Sequence, residues 1–423
     1  MSAIAETSSA RSSQSSAGPG ADRPGFPADH TIVIPTYNRP LMVSRLVAYY
    51  VAREPQLNLL VLDSSRPEVA EENARSLLAL GGSIRHLTFP QTLPMVGKIA
   101  QGLAEVATPF VSLCADDDIV FPDGLREATA FLAEHPDYVS AHGLYLNFRI
   151  AGDEVHLTRE YSGAGNEAEH PGQRIFRLCQ QYESLFYAAF RTPDLQQISV
   201  AATALPTLHF QELFQSVSAL IKGKVKRFPK FYGGRQSCDP AEPERDKWQT
   251  YYWFADDPAE FLDHYRAYRD EVSKFYEAHG LMPRLDRSAL TRVLDLAHAV
   301  YFSAGCPPAY FMARLEGFWP DAPAIATGRR DLLNDIRPHS PHRELRRALR
   351  LLNFLRRRFG RRARSRWASS LAELDRSARQ SYRTPWLCRL PTGLEWLAAV
   401  PDFRHAYSEL CHYLDPAAPL NNC

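Results

Sequence analysis

Residues 110–118 read FVSLCADDD, an apolar run that ends abruptly in three consecutive aspartates, Asp116, Asp117 and Asp118. Adjacent carboxylates repel one another, so a fold that fixes them at the end of a buried strand is expected to offset that cost with a bound cation. Oxygen ligands favour Mg²⁺ or Mn²⁺, and phosphate oxygens commonly complete the shell of such an ion. The alternative is a solvated acidic turn at a helix start, since carboxylates also favour helix N-termini.

The segments before this motif alternate between strand and helix patterns. Two apolar runs, residues 31–35 and 57–62, predict strands, and apolar residues at helical spacing between them predict a helix. A third strand is predicted at residues 84–89, and an amphipathic helix then precedes the aspartate strand. Polar residues therefore gather at the carboxyl ends of successive strands, which is where open α/β sheets bind ligands.

Three stretches resemble, in order and spacing, the family 2 nucleotide-diphospho-sugar glycosyltransferases. They are TIVIPTYNRP at residues 31–40, VLDSS at 61–65 and GKIAQGLAEVATPFVSLCADDDIVFPDGL at 97–125. The resemblance implies an α/β fold of the GT-A type, a Rossmann-like mixed sheet flanked by helices. It also implies transfer of a sugar from a nucleotide-diphospho-sugar, with UDP-sugars favoured.

The resemblance implies a role for each polar residue near the strand ends. The residues that it assigns to the nucleotide-sugar donor are Pro35, Tyr37, Arg39, Asp63, Lys98 and Asp116. Asp63 would accept a hydrogen bond from the base, and Lys98 would face the diphosphate or the base, either of which suits its ammonium group. Taken singly, each residue also has an ordinary structural explanation, such as packing or capping a turn.

The same family resemblance implies that the aspartates hold a metal ion. Ala115 stands where many members of the family have their first acidic residue, and this chain resembles the variant form with two adjacent acids. By that resemblance Asp116 would contact the ribose and Asp117 would bind the metal, while Asp118 could do either. The implied cofactor is a divalent cation, Mn²⁺ or Mg²⁺.

The middle of the chain is predicted to supply the acceptor side. Residues 138–161 are predicted to form a hairpin, and residues 208–222 a helix stopped by a glycine. A strand over residues 224–232 is followed by a predicted flexible loop, Gly233-Gly234-Arg235-Gln236, in which Arg235 would close over the diphosphate. A plain surface loop is the alternative.

Inverting transfer needs a carboxylate that deprotonates the acceptor hydroxyl while cations stabilise the departing nucleoside diphosphate. Glu212 is the first candidate for this base, because it lies in the first turns of the helix where similar enzymes carry theirs. Asp239 and Asp246, which lie before Trp248, are the alternatives. The ordinary explanation for Glu212 is a solvated helix position.

The segment Arg343–Arg366 contains eleven arginines and one glutamate, a local balance of +10 in a chain whose net charge is +1. Its apolar residues recur at helical spacing, which predicts a basic amphipathic helix. Such a helix can lie on an anionic membrane, which would suit a lipid-linked acceptor. Packing against the rest of the chain is an equal alternative, and nucleic-acid binding is disfavoured because no recognisable nucleic-acid module accompanies the segment.

Composition favours a cytoplasmic enzyme, and the membrane alternative for the arginine-rich segment would place it peripherally on the inner face of the membrane. The chain has 423 residues, 45% of them hydrophobic, and seven cysteines without a C-x-x-C pair, which argues for reduced thiols and against structural zinc. No run approaches the about 20 apolar residues that cross a membrane. Residues 1–28 are rich in Ser, Ala, Gly and Pro and are predicted to form a disordered tail.

The sequence thus predicts three regions. A GT-A glycosyltransferase domain is expected over residues 29–325, with a nucleotide-sugar-binding half at 29–126 and an acceptor-side half at 127–325, followed by a mainly α-helical region at 326–423. The expected activity is inverting, metal-dependent glycosyl transfer to a glycan or lipid-linked acceptor. The alternatives are a nucleotidyltransferase, which would release pyrophosphate, and a non-catalytic protein of the same fold that binds sugar nucleotides or glycans.

Overall fold

A mixed sheet flanked by helices forms the framework of the protein. The computed structural model describes residues 29–151, 154–160, 165–180, 182–236, 258–280, 285–302 and 403–414. The strands are β1 (His30–Thr36), β2 (Asn58–Asp63), β3 (Ile84–Thr88), β4 (Phe110–Leu113), β5 (Ile119–Val120), β6 (Tyr138–Ala151), β7 (Glu154–Glu160), β8 (Ala189–Arg191) and β9 (Lys224–Gln236). The helices are α1 (Pro40–Arg53), α2 (Pro67–Leu80), α3 (Met95–Ala104), α4 (Pro122–Glu134), α5 (Pro171–Gln180), α6 (Thr192–Ala202), α7 (Leu208–Lys222), α8 (Pro258–His279), α9 (Arg287–Phe302) and α10 (Phe403–Leu414).

The sheet has nine strands in the described part of the chain, with the order β3-β2-β1-β4-β8-β6-β9-β5 and β7 paired to β6. Strands β1 to β4 are parallel, whereas β8 runs antiparallel to both β4 and β6. All seven residues of β1 are buried, as expected for a central parallel strand covered on both faces. The predicted α/β architecture is confirmed.

Local sequence signals account for several element boundaries. Helices α1, α2 and α4 begin at Pro40, Pro67 and Pro122, where the fixed φ of proline suits the first helical turn and its missing N–H costs nothing. Helix α7 has the predicted bounds, and Gly223 follows its last residue. The predicted hairpin is also present, since β6 pairs antiparallel with β7.

The prediction of a flexible loop at residues 233–236 is wrong, because these residues are the end of strand β9. Gly233 and Gly234 pair antiparallel with Val120 and Ile119 of β5, a two-residue strand that the sequence analysis did not predict. A Cβ atom on Gly233 would lie 2.5 Å from the carbonyl oxygen of Ile119. The glycine is therefore needed for the close approach of two strands. In the sequence alone, a glycine with this role cannot be told from a glycine in a loop.

The described residues after 257 are helical. Helices α7, α8 and α9 share an aromatic core that includes Phe210, Tyr265, Tyr268 and Phe302. None of the helices that the structure describes is long and apolar enough to cross a membrane. The predicted tail at 1–28 and the arginine-rich segment 343–366 lie outside the described residues.

Candidate functional site

The candidate site lies at the edge of the sheet where β1, β2 and β4 end. Because these strands are parallel, their carboxyl ends meet at the same edge, and Thr36 at the end of β1 pairs in register with Asp63 at the end of β2. The segment after β4 brings the aspartates to this edge, where the hydroxyl of Thr36 donates a hydrogen bond of 2.6 Å to Oδ2 of Asp116. Thr36 is a site residue that the sequence analysis missed, since a threonine at a strand end has many ordinary uses.

Arg39 bridges the first two aspartates. Its Nη1 atom lies 3.3 Å from Oδ1 of Asp116 and 2.9 Å from Oδ2 of Asp117. Burial raises the pKa of Asp116, and the hydrogen bond from Thr36 opposes that rise. A single positive charge thus contacts both carboxylates, and the Arg39 side chain itself is 45% exposed at the surface of the site.

Asp118 has a different environment from its two neighbours. It is buried, and its Oδ1 accepts a 2.7 Å hydrogen bond from the backbone N–H of Gln236 while its Oδ2 accepts one from the hydroxyl of Tyr187. Burial raises the pKa of Asp118 to about 7, the charge of Arg235 opposes the rise, and the charge of Asp117 adds to it. Both oxygens of Asp118 are therefore engaged by protein donors.

The turn after β1 presents Tyr37 to solvent. The Tyr37 side chain is 51% exposed, whereas Pro35 is buried within β1. Asn38 adopts a φ of 54°, a left-handed conformation that asparagine tolerates better than most residues. Its side-chain oxygen accepts a hydrogen bond from the N–H of Arg66, and its own N–H donates to Ser65 Oγ. This strained residue joins the turns that follow β1 and β2.

Asp63 is fully buried and bound by three protein donors. Its Oδ1 accepts from the N–H of Ser65 at 2.8 Å, and its Oδ2 accepts from Asn73 Nδ2 at 2.8 Å and from His86 Nε2 at 3.1 Å. Burial acts to raise the pKa of Asp63, but the hydrogen bonds from His86, Asn73 and Ser65 outweigh it and hold the pKa well below its ordinary value. The direct contact with a base that the resemblance implies stays a prediction.

Lys98 lies beneath the same edge, between Asp63 and Asp116. Its Nζ donates to the carbonyl oxygen of Thr36 at 2.8 Å and to Ser64 Oγ at 2.9 Å, and only 3% of the residue is exposed. Burial lowers the pKa of Lys98 to about 8, although the charges of Asp63 and Asp116 oppose that shift. An ammonium group has three donors, so one N–H of Lys98 remains for a further partner.

Glu212 lines a small cleft next to this edge. The cleft is formed by residues of α3, α6 and α7 together with Phe186, and its walls are mainly apolar, with Val96, Ile99 and Leu208 among them. Burial raises the pKa of Glu212, and the positive charge of Arg235 lowers it. The predicted base is therefore a carboxyl group in an apolar cleft within electrostatic range of an arginine.

Arg235 connects the cleft to the aspartates. Its Nε lies 3.8 Å from Oδ2 of Asp118, and its guanidinium carbon lies 4.9 Å from the centre of the Tyr187 ring. The sequence analysis missed Tyr187, and it named Gln236 only as part of a predicted loop. Their contacts with Asp118 join residues 69 and 118 positions apart, and no local pattern links them. Asp239 and Asp246, the alternative bases, lie outside the described residues.

Within the described ranges, no group of three or more His, Cys, Asp or Glu side chains is arranged to hold a metal ion. Residues 31–191 match the family described as Glycosyl transferase family 2. No curated protein sequence matches the chain.

Two solved structures similar to the chain carry nucleotide sugars. One is TarS residues 1–349 from S. aureus in complex with UDP-GlcNAc, with 13% identity, coverage of 70% of this chain and 88% of that chain, and a TM-score of 0.39. The other is the mannosyltransferase PcManGT from Pyrobaculum calidifontis in complex with GDP-Man and Mn²⁺, with 14% identity, coverage of 72% and 80%, and a TM-score of 0.41.

Proposed function

We propose, from the match of residues 31–191 to the family described as Glycosyl transferase family 2, that the enzyme moves a sugar from a UDP-type donor to an acceptor hydroxyl with inversion. The observation that supports this proposal best is the connection from Glu212 through Arg235 to Asp118. It places a carboxylate with a raised pKa within electrostatic range of the cation that contacts the aspartate cluster. A single displacement needs the base and the leaving group on the same site.

The donor diphosphate fits the cations at the strand edge. Arg39 is half-exposed and already contacts two carboxylates, and the buried Lys98 has an N–H to spare. Guanidinium and ammonium groups both bind phosphate oxygens, and a guanidinium group can donate two parallel hydrogen bonds to one phosphate. We propose that the exposed ring of Tyr37 contacts the nucleobase of the donor. Asp63 would hold the turn at Ser65, to whose N–H it is hydrogen-bonded.

Asp116 and Asp117 fit a divalent cation. Their carboxylate oxygens are hard ligands of the type that Mg²⁺ and Mn²⁺ prefer, and the Arg39 guanidinium between them shows that this position accepts a positive charge. Asp117 is the proposed metal ligand because it is less buried than its neighbours, whereas both oxygens of Asp118 are engaged by Tyr187 and Gln236. A bound cation would stabilise negative charge on the departing nucleoside diphosphate.

Glu212 is the proposed catalytic base. Its apolar cleft holds the pKa above the ordinary value of a glutamate, which brings it nearer the pH at which a general base works best. The carboxylate would take the proton from the acceptor hydroxyl as that oxygen attacks the anomeric carbon from the face opposite the diphosphate. The proton ends on Glu212, and the electron pair of the broken bond leaves with the nucleoside diphosphate.

We further propose that the acceptor is a glycan or a lipid-linked molecule at the cytoplasmic face of a membrane. This proposal is supported only by the charge pattern of residues 343–366. Arginines on an amphipathic helix attract anionic lipid headgroups.

A donor screen tests the proposed activity. The intact protein is incubated with a panel of nucleotide sugars, with and without Mn²⁺, and released nucleoside diphosphate is measured beside pyrophosphate. Nucleoside diphosphate release that depends on Mn²⁺ and is lost in Asp117→Asn would support the proposal. Pyrophosphate release would identify a nucleotidyltransferase instead, and nucleotide binding that chelator does not affect, without turnover, would identify a binding protein.

A further inference from the structure

Helix α10 lies outside the family match and docks against α1 and α4. Glu409 of α10 is 2% exposed and accepts hydrogen bonds from the Tyr49 hydroxyl at 2.5 Å and from Arg53 Nε at 3.1 Å. At the start of the helix, His405 Nε2 lies 2.7 Å from Oδ2 of Asp123 in α4. These contacts hold α10 in a single position on the catalytic domain.

At the other end of α10, Tyr413 reaches the carboxyl end of β9 through Arg45 of α1. Nη2 of Arg45 donates to the Tyr413 hydroxyl at 2.7 Å and to Oε1 of Gln236 at 3.0 Å. The Arg45 guanidinium carbon also lies 4.4 Å from the centre of the Tyr413 ring, and Tyr413 is fully buried. Arg45 is thus held by an aromatic face and a hydroxyl from the same side chain.

The chain of contacts continues to the aspartates. The backbone N–H of Gln236 donates to Oδ1 of Asp118 at 2.7 Å, and the preceding residue, Arg235, faces Oδ2 of the same carboxylate. Hydrogen bonds therefore link Tyr413 of α10, Arg45 of α1 and Gln236 of β9 to Asp118 in the segment between β4 and β5. Gln236 links the two parts of this series, because its side chain accepts from Arg45 and its backbone N–H donates to Asp118.

We propose that Tyr413 is a positioning residue for the donor site, which rests on the function proposed above. Through Arg45 and Gln236 it holds the end of β9, and so keeps Asp118 and Arg235 aligned beside the nucleoside diphosphate and the metal. Without the Tyr413 hydroxyl, Arg45 loses the shortest of its three hydrogen bonds to neutral acceptors, the others being to Gln236 Oε1 and Met42 Sδ. The Arg45 guanidinium is then less firmly held beside the Gln236 side chain. The end of β9 would then be less well ordered in the free protein. Donor binding would have to order it again, and this cost in free energy would weaken the affinity for the donor.

The test uses four variants of the full chain. Tyr413→Phe keeps the ring over Arg45 and removes only the hydroxyl, Gln236→Ala removes the next link, and the third variant combines the two. His405→Asn is the matched control, because it weakens the docking of the same helix at α4 without touching β9. Two measurements are made on each variant: hydrogen exchange of the peptide ending at Gln236 in the free protein, and the Kd for UDP with Mn²⁺.

Tyr413→Phe is expected to speed exchange at Gln236 and to raise the Kd for UDP about 5-fold, the usual effect of losing one hydrogen bond. Gln236→Ala should raise this Kd similarly, and the double variant no further, because the residues act in series. His405→Asn should leave both measurements unchanged. The proposal would be overturned by unaltered hydrogen exchange in Tyr413→Phe, or by changes in His405→Asn as large as those in Tyr413→Phe. It would also be overturned if the Kd increases of the two single variants multiplied in the double variant. If the wild-type chain binds no UDP, the proposed donor is wrong, while the exchange measurement still decides whether Tyr413 positions β9.

Discussion

Nη1 of Arg39 lies 2.9 Å from Oδ2 of Asp117, so the first turn after β1 and the segment after β4 are joined by an ion pair across the carboxyl edge of the sheet. The same nitrogen reaches the buried Asp116, whereas the side chains of Arg39 and Asp117 are 45% and 16% exposed. In the proposed reaction, Asp116 and Asp117 would hold the divalent cation, and the Arg39 guanidinium beside them would bind the donor diphosphate. The ion pair therefore lies where we propose that the donor and the metal bind.

Asp117→Asn is expected to abolish Mn²⁺-dependent transfer without unfolding the protein. Losing the metal removes stabilisation worth several kcal/mol, which lowers turnover by more than about 100-fold. The partly exposed pair with Arg39 contributes only about 0–1 kcal/mol to folding, so the Tm should barely change. Near-normal turnover in Asp116→Asn, Asp117→Asn and Asp118→Asn alike would exclude the metal assignment.

Asp118→Asn should instead lower the Tm. The buried carboxylate accepts from Tyr187 and from Gln236, and an amide in its place would turn an NH₂ group toward one of these donors. An unsatisfied buried group costs about 1–3 kcal/mol, which corresponds to a Tm loss of several degrees. Thermal unfolding of this variant beside Asp117→Asn measures the contrast, and equal Tm values would show that Asp118 has no such structural role.

Glu212 is expected to set the acid limb of the pH profile. A base must be ionised to act, and burial raises the pKa of Glu212, so kcat/KM should fall as the pH drops through a value above the ordinary 4.5 of a glutamate. Glu212→Gln should reduce turnover by about 10² to 10⁴-fold with donor affinity unchanged.

Arg235→Met provides the sharper test of this assignment. Arg235 lowers the pKa of Glu212, so its removal should move the acid limb to higher pH. A profile that stays in place in Arg235→Met, or ordinary turnover in Glu212→Gln beside an inactive Asp246→Asn, would transfer the role of base to the segment before Trp248.

Lys98 should make stability rise with pH above about 8. Burial lowers its pKa from 10.5 to about 8 in the folded protein, so between these values the unfolded chain binds more protons than the native state. Stability must then increase with pH across this window, by up to about 3 kcal/mol relative to a variant without the group. Thermal unfolding of wild type and Lys98→Met from pH 7 to 10.5 measures the difference, and parallel Tm curves would contradict the shifted pKa.

The segment 343–366 is expected to bind anionic vesicles. Each arginine near such a surface contributes about 1 kcal/mol, and the attraction should weaken with salt. Replacing Arg346, Arg347 and Arg350 by glutamine should reduce co-sedimentation with phosphatidylglycerol vesicles, whereas lysine at the same positions should preserve it. Equal sedimentation of the glutamine variant and wild type would favour packing of the segment against the protein.

The sequence by itself determined the four strands up to the aspartates, the helices α1 and α3, and the bounds of α7, whereas α2 was not predicted. These follow from apolar spacing, proline at helix starts and a terminal glycine, all of which act within a few residues. It also predicted that polar residues gather at one edge, because parallel strands place their carboxyl ends together. The family resemblance implied that Arg39, Asp63, Lys98 and the aspartates belong to one site.

Only the tertiary structure decided which partners each of these residues contacts. Asp117 and Asp118 are neighbours in sequence, yet one faces Arg39 near the surface and the other is buried against Tyr187 and Gln236. The structure likewise made a strand of residues 233–236 and joined α10 to the site through Arg45. Hydrogen-bond partners and burial come from segments far apart in the chain, and local periodicity carries no information about which of them will pack together.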